Sequence, residues 1–179
     1  MLILFIRNKK TMAVIVMKKI KELWNKYKVY IISCAIALGV GALSALLTMG
    51  NMALFDEVKK PPLSPPGFLF PVVWTILYIL MGISAARIFK LKGVYENEVR
   101  ESLTYYAASL VVNFAWSIIF FNFGAFLLAF VWLLLLLFLI IKTVVNYHTI
   151  DPLSAYLQIP YIIWVTFAGY LTAGIAILN

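Results

Sequence analysis

Residues 60–82 read Lys60-Pro-Pro-Leu-Ser-Pro-Pro-Gly-Phe-Leu-Phe-Pro-Val-Val-Trp-Thr-Ile-Leu-Tyr-Ile-Leu-Met-Gly82, a proline-rich loop that runs directly into a long apolar segment. Proline is accepted in the first turn of a helix, so the segment predicts a helix over 68–89. A membrane helix has no need of so much proline and aromatic character at its entrance. The pattern is consistent with a binding site built at the membrane edge.

The composition of the chain indicates that its surroundings are lipid. Of its 179 residues, 64% are hydrophobic and only 12% are charged, against about 45–50% and about 25% in soluble domains. One soluble core of this size has no room for that excess, so we expect an integral membrane protein. The single Cys34 excludes a disulfide within the chain, and the single His148 has no companions at metal-ligand spacing.

Five apolar runs are long enough to cross a bilayer core, which is about 30 Å thick and takes about 20 helical residues. They predict an all-α five-helix membrane bundle that forms one domain over 29–179. Only residues 122–124 separate the third run from the fourth, so those two helices should be antiparallel neighbours. The predicted spans are 29–49, 68–89, 103–121, 125–145 and 153–178.

The net charge of +8 is concentrated at one end of the chain. Eight of the fifteen Lys and Arg residues lie in 1–28, which is typical of a cytoplasmic flank that meets anionic lipid rather than of a nucleic-acid-binding surface. With five alternating spans, only Lys59 and Lys60 fall on the opposite side. We therefore predict the N-terminus inside and the C-terminus and proline-rich loop outside, with Arg87 and Lys142 reaching the inner interface.

Residues 1–16 are open to more than one interpretation. The segment after Met17 is typical of the opening of a membrane protein, so Met12 or Met17 is an alternative start, and residues 1–16 would then precede it. A signal peptide that ends near residues 42–45 is a competing interpretation. Small residues in this region suit close helix packing equally well, namely Ala35, Gly39, Gly41 and Ala45.

Three of the predicted spans carry a stripe of aromatic or polar residues on one helical face. Each stripe alone is more typical of helix packing than of a ligand site, and interfacial tryptophan belts are common. Trp24, on the basic flank, suits such a belt, and Trp132 is expected to face lipid or to pack. The stripes are Trp74, Tyr78 and Met81; Asn113, Trp116 and Phe120; and Pro160, Trp164 and Ala168.

Polar residues within the spans are few, and each needs an explanation. A side-chain amide in lipid requires a partner, so Asn113 either joins two helices or contacts a ligand, and Gln158 poses the same question. Pro160 removes a backbone donor and should open the helix beside it. Asp151 stands before a proline, which predicts a helix start rather than an acid–base site.

Three motifs occur in order along the chain: Pro65-Pro-Gly-Phe-Leu-Phe-Pro-Val-Val-Trp-Thr-Ile-Leu-Tyr78, Asn113-Phe-Ala-Trp-Ser-Ile-Ile-Phe-Phe121, and Pro160-Tyr-Ile-Ile-Trp-Val-Thr-Phe-Ala168, the last followed by Leu171 and the closing Leu178 and Asn179. Together they resemble the tryptophan-rich sensory protein family, also called the translocator protein or peripheral-type benzodiazepine receptor family. The resemblance covers about residues 29–179, and three motifs in register across five spans make it specific.

The resemblance implies a five-helix bundle, commonly a homodimer, with a pocket open toward the proline-rich loop, and we expect it in a bacterial cytoplasmic membrane. It implies binding of porphyrins such as protoporphyrin IX and haem, as sensor, carrier or scavenger, with no required cofactor and no metal. Isoquinoline carboxamides and benzodiazepines are further ligands of the family. By resemblance the ligand-binding residues are Trp74, Tyr78, Asn113, Trp116, Trp164 and Ala168, with Pro65, Pro66 and Phe68 in the lid.

Two other functions remain open at this stage. One is light-dependent oxidative degradation of protoporphyrin IX, with Trp74 and Trp164 as catalytic residues. The other is facilitated transport of small hydrophobic ligands. Ion-coupled transport is not expected, because the spans contain no charge relay to drive it. Departures from the family pattern are Phe68 in place of a frequent tryptophan and Thr172 in place of a frequent asparagine. No Lys or Arg follows Tyr170, which argues against sterol binding.

Overall fold

The computed structural model describes residues 17–179 in full and the backbone of residues 2–16. Within that part of the chain every regular element is helical, and five segments are long and apolar enough to cross a membrane. The all-α class and the five spans are therefore confirmed, while the predicted orientation of the termini stays a prediction. The five segments are Met17–Asn51, Leu69–Phe89, Glu96–Asn122, Phe126–Ile150 and Pro152–Leu178.

The first helix, α1 (Leu2–Thr48), runs without a break through the basic flank into the first span. It begins well before the predicted span because the Lys, Glu and Leu residues of the flank are good helix formers. A 3₁₀ turn (Met49–Asn51) and a short helix, α2 (Leu54–Glu57), follow. Of the two alternative starts, Met12 lies outside the residues described in full, and the start at Met17 stays a prediction.

The second span is α3 (Leu69–Phe89), which begins directly after the proline-rich loop. It packs closely along α1, as small residues at a membrane helix interface allow. At Gly82 the approach is so close that a Cβ atom would lie 2.8 Å from the backbone nitrogen of Cys34. The two helices are therefore in backbone contact where the first half of the α1 span meets the second half of α3.

The third and fourth spans are antiparallel neighbours, as predicted. Helix α4 (Glu96–Ser117) continues through a π-helical segment (Ile118–Asn122), and only three residues separate that segment from α5 (Phe126–Ile150). Gly124 makes the turn with a φ of 58°, a left-handed conformation that favours glycine. The short link leaves the two helices no alternative to packing side by side.

Trp132 on α5 packs against α4 rather than facing lipid alone. Its indole Nε1 donates a hydrogen bond to the carbonyl oxygen of Val112, 2.8 Å away. A buried indole N–H usually finds a partner, and here the partner is a backbone carbonyl on the neighbouring helix. Of the two roles predicted for Trp132, packing is the one the structure contains.

The fifth span is divided into α6 (Pro152–Tyr156) and α7 (Ile159–Leu178). Pro160 lies in the first turn of α7 and has no N–H to donate, so the helix opens before it, as predicted. Gln158 lies in the opening, and its Nε2 donates to Ser84 Oγ on α3 at 3.3 Å. Its side chain therefore joins two helices.

Candidate functional site

A cleft of about 330 Å³ lies between α1, α3 and the end of α4. Its volume is at the lower end of the range of about 300–1,000 Å³ found for ligand pockets. Its walls are predominantly apolar, with small residues on the α1 side facing aromatic rings on the others. The lining includes Leu38, Gly41 and Ala45 from α1, Phe70, Trp74 and Tyr78 from α3, and Trp116 and Phe121 from α4 and its π-helical continuation.

Trp74 and Tyr78 form the aromatic wall of the cleft. They lie one helical turn apart on α3, and their rings stack with centroids 5.5 Å apart and planes inclined by 28°. On the side of α7, the rings of Tyr161 and Trp74 form a T-shaped pair with centroids 6.0 Å apart. The stripe expected on α3 therefore exists as a fixed aromatic surface rather than as separate side chains.

Gly41 determines how closely Tyr78 approaches α1. A Cβ atom at this position would lie 2.7 Å from Tyr78 Cδ2 and closer still to Cε2, which no real contact tolerates. The predicted packing role of Gly41 is confirmed. Gly39 is different, because a Cβ atom there would meet no atom of the described chain within 4 Å. The sequence marked both glycines as packing residues, and only one of them is.

Asn113 joins α4 to α3 through the hydroxyl of Tyr78. Its Nδ2 donates to Tyr78 Oη at 2.9 Å, and its side chain is almost fully buried. It does not line the cleft. The structure thus contains the interhelical hydrogen bond, which was one of the two predicted roles, and it fixes the orientation of a ring that does line the cleft.

Trp116 and Trp164 both belong to the aromatic cluster at the end of the bundle that carries the proline-rich loop. Trp116 lines the cleft, whereas Trp164 does not and instead contacts Phe70, with ring centroids 5.8 Å apart. Both indole nitrogens are buried without a hydrogen-bond partner among the described residues. A buried donor without a partner is costly, so both indoles carry an unsatisfied N–H within the aromatic cluster.

A second cavity of about 370 Å³, here called the vestibule, lies beside the cleft under the proline-rich loop. It is lined by Met52, Ala53, Phe55, Asp56, Gly67, Phe68, Phe70 and Phe121. Of the three predicted lid residues, Phe68 therefore reaches a cavity, while Pro65 and Pro66 line neither cavity. Ala168 borders a separate void of about 20 Å³ behind Phe70 and Phe121.

The proline-rich loop is anchored to the end of α7. The Asn179 amide accepts from Lys59 N at 3.0 Å and donates to Lys59 O at 3.0 Å, which pairs side chain with backbone in both directions. Tyr170 Oη donates to the carbonyl oxygen of Pro62 at 2.9 Å. Pro61 packs on Gly174, where a Cβ atom would lie 2.6 Å from the proline ring. The loop over the vestibule is therefore fixed at its first half.

An ion pair that the sequence did not predict lies at the opposite end of the bundle. Arg87 donates through Nε and Nη2 to the two carboxylate oxygens of Asp151, at 2.7 and 3.0 Å. Asp151 also caps α6 by accepting from the backbone and hydroxyl of Ser154, which confirms the predicted helix start. The hydrogen bonds from Arg87, with those from Ser154, lower the pKa of Asp151 below its usual value. Arg87 is thus held by a carboxylate rather than only reaching for the interface.

Residues 32–178 match the family described as the TspO/MBR family. Protein CrtK from Rhodobacter capsulatus is 40% identical over 154 residues, which are 86% of this chain and 92% of that protein. Tryptophan-rich protein TspO from Chlorobaculum tepidum is 36% identical over 125 residues, 70% of this chain and 78% of the relative. A translocator protein from Bos taurus is 34% identical over 132 residues, 73% and 78% of the two chains.

Proposed function

This chain belongs to the TspO/MBR family of multi-pass membrane proteins, and on that premise we propose that it binds tetrapyrroles and similar planar hydrophobic molecules in the cleft. It would act as a sensor, carrier or scavenger of protoporphyrin IX or haem in a bacterial cytoplasmic membrane. The proposal is an extension of the family's general character to the particular aromatic walls described here.

One observation carries the proposal: the cleft has a stacked aromatic pair, Trp74 and Tyr78, with a further indole, Trp116, in its lining. Planar ligands bury large areas against such rings, and each offset-stacked or edge-to-face pair adds about 0.5–1.5 kcal/mol beyond burial. The wall is also preorganised, because Asn113 fixes the Tyr78 ring and Gly41 lets it approach α1. A rigid surface loses little entropy when a ligand arrives.

A large planar macrocycle suits the aromatic lining of the cleft. Protoporphyrin IX carries two propionate groups on an otherwise apolar macrocycle, so its apolar faces would lie against Trp74, Tyr78 and Trp116 while the propionates stay toward water.

The proposal is tested by titrating the detergent-purified protein with protoporphyrin IX and following the porphyrin absorbance. That signal is preferable to protein fluorescence, since removing a tryptophan changes the latter directly. Wild-type protein should bind saturably, and Trp74→Leu should raise the dissociation constant about 2- to 10-fold, the equivalent of one lost aromatic pair. Trp24→Leu is the matched control, because Trp24 is 52% exposed on the basic flank, away from the cleft. Equal affinities for all three proteins would contradict the proposal.

A second candidate is light-dependent degradation of bound protoporphyrin IX, favoured by the presence of two indoles, Trp74 and Trp116, in the cleft lining. The excited porphyrin would take one electron from an indole and pass it to dioxygen, giving superoxide and an indole radical cation. The radical cation would regain an electron from the macrocycle, and superoxide would add to the oxidised macrocycle, so that the net reaction consumes one porphyrin and one dioxygen. Illumination of the saturated complex in air should bleach the porphyrin, and Trp74→Leu should slow the bleaching at equal occupancy. Bleaching at the same rate in both proteins would leave binding without turnover.

A further inference from the structure

The cleft and the vestibule are separated by three side chains that line both cavities: Met52, Phe70 and Phe121. The cleft holds about 330 Å³ and the vestibule about 370 Å³, so the two together offer more than twice the volume of the cleft alone. The cleft by itself is at the lower limit for a drug-sized ligand. A macrocycle of four linked pyrroles is larger than such ligands, so the partition decides whether it is accommodated.

The partition is held by ring contacts. Phe70 meets Phe55 edge-on with centroids 5.0 Å apart and meets Trp164 at 5.8 Å. Such edge-to-face contacts are individually weak, and rotating a phenyl ring breaks no hydrogen bond. The void of about 20 Å³ beside Ala168 borders both Phe70 and Phe121, so the rings are not fully packed on that side.

Phe70 is the more movable of the two rings. Both rings are partly buried, but Phe70 lies in the first turn of α3, immediately after the proline-rich loop. Phe121 lies inside the π-helical segment, between the rings of Trp116 and Phe120. Displacing Phe121 would disturb the core, whereas displacing Phe70 disturbs contacts at a helix end.

We propose that Phe70 is the specificity-determining residue that separates two ligand sizes in this protein. With its ring in place, the cleft takes a small planar aromatic molecule. With its ring displaced, the cleft and the vestibule form one site in which a tetrapyrrole lies across the former partition. The size discrimination rests on the proposed tetrapyrrole binding, but the role of Phe70 as the partition follows from the two cavities themselves.

The vestibule also suits the polar edge of such a ligand. It opens beside Lys60, whose Nζ lies 4.5 Å above the Phe55 ring and 3.1 Å from Asp56. A macrocycle placed across the partition would keep its apolar body against the rings of the cleft. Its carboxylates would then lie near this partly buried cation, which Asp56 already contacts.

The experiment measures dissociation constants of two probes, protoporphyrin IX and isoquinoline, for wild type, Phe70→Ala and Phe70→Trp. Phe70→Ala removes the partition and should lower the constant for protoporphyrin IX about 3- to 10-fold, with a change below about twofold for isoquinoline. Phe70→Trp enlarges the partition and should raise the constant for protoporphyrin IX by a similar factor. Phe89→Ala is the matched control, since Phe89 is 49% exposed at the other end of the same helix.

The outcomes separate this inference from the function on which it rests. If wild type binds protoporphyrin IX saturably and both Phe70 variants match it, the partition role is overturned and tetrapyrrole binding stands. If neither wild type nor Phe70→Ala binds protoporphyrin IX while isoquinoline still binds, the tetrapyrrole proposal is overturned, and the size discrimination with it. Phe70→Trp keeps the test informative should the alanine variant unfold, because it removes no packing contact.

Discussion

The amide of Asn113 donates to the hydroxyl of Tyr78 across 2.9 Å, and this bond ties α4 to the helix that carries the aromatic wall of the cleft. Asn113 is therefore a positioning residue: it does not line the cleft, but it orients a ring that does. Because both groups are buried, each provides the hydrogen bond that water would provide to the other at the surface.

Replacing Asn113 by Leu should destabilise the protein by about 1–3 kcal/mol, because Tyr78 loses its buried partner. Tyr78→Phe should cost less, and the double variant should cost less than the two single changes added together. Interhelical hydrogen bonds in membranes couple by about 0.6 kcal/mol on average, so thermal unfolding in detergent should show a coupling of at least that size. Strict additivity of the two changes would mean that the bond contributes nothing.

The close approach of Gly41 to Tyr78 makes a second prediction. Gly41→Ala places a methyl carbon 2.7 Å from Tyr78 Cδ2, which is a steric clash, so the ring or α1 must move. We expect a loss of about 1–3 kcal/mol in stability, typical of overpacking, together with weaker ligand binding at the displaced wall. Gly39→Ala is the control on the same helix, since its methyl group meets no described atom within 4 Å. A similar melting temperature for both variants would argue against a fixed Tyr78.

The Arg87–Asp151 pair should make stability depend on pH at the acid end. The pKa of Asp151 is lowered in the folded protein, so the pair's contribution is complete above the usual aspartate pKa of about 3.9 and is lost as the pH falls through the lower folded value. Asp151→Asn should therefore be less stable than wild type at pH 7, and the difference should shrink below about pH 4. Thermal unfolding of wild type and Asp151→Asn at a series of pH values from 7 to 3 measures the stability difference and its decrease at low pH.

The exposed pair between Lys60 and Asp56 provides the matched comparison for this result. Its carboxylate side chain is 77% exposed, against 16% for Asp151. Exposed ion pairs contribute about 0–1 kcal/mol, so Asp56→Asn should leave the melting temperature nearly unchanged at every pH. If Asp56→Asn and Asp151→Asn changed the melting temperature equally, the more buried, two-hydrogen-bond geometry of the Arg87–Asp151 pair would add no stability.

The anchoring of the loop by Asn179 makes a fourth prediction. Asn179→Ala removes both hydrogen bonds to the Lys59 backbone, so the proline-rich loop loses its attachment to the end of α7. In the Asn179→Ala variant we expect trypsin to cleave after Lys59 faster than in wild type. Bound porphyrin should also dissociate faster from the variant. Leu178→Ala, at a neighbouring position that is 44% exposed, is the control. Unchanged cleavage and dissociation rates would contradict an anchoring role.

Several features of the site could be predicted because they depend on a single helix. Trp74 and Tyr78 share one face of α3 as their spacing predicted, and both line the cleft, the role that the family resemblance implied. Asp151 starts a helix, and Pro160 opens one, because capping and the missing proline N–H act within a few residues.

Other features could not be predicted, because they join parts of the chain that only packing brings together. The aromatic stripe of α7 suggested Trp164 for the pocket, yet its ring contacts Phe70 and does not line the cleft. The contribution of α1 to the cleft, through Gly41 and its neighbours, carries no sequence signal beyond small size. The pattern of a single helix predicts which of its faces is aromatic, but not which neighbouring helix that face will contact.

The sequence by itself determined the five apolar helices, the tight link between the third and fourth spans, and the family, since hydropathy, helical period and turn chemistry are local properties. Only the tertiary structure decided that Arg87 meets Asp151, 64 residues away, that Asn113 reaches Tyr78, and that Phe70 lines two cavities. These contacts depend on the angles and distances at which helices pack. In lipid, where apolar burial favours no particular partner, those are set by the small residues and hydrogen bonds at each interface.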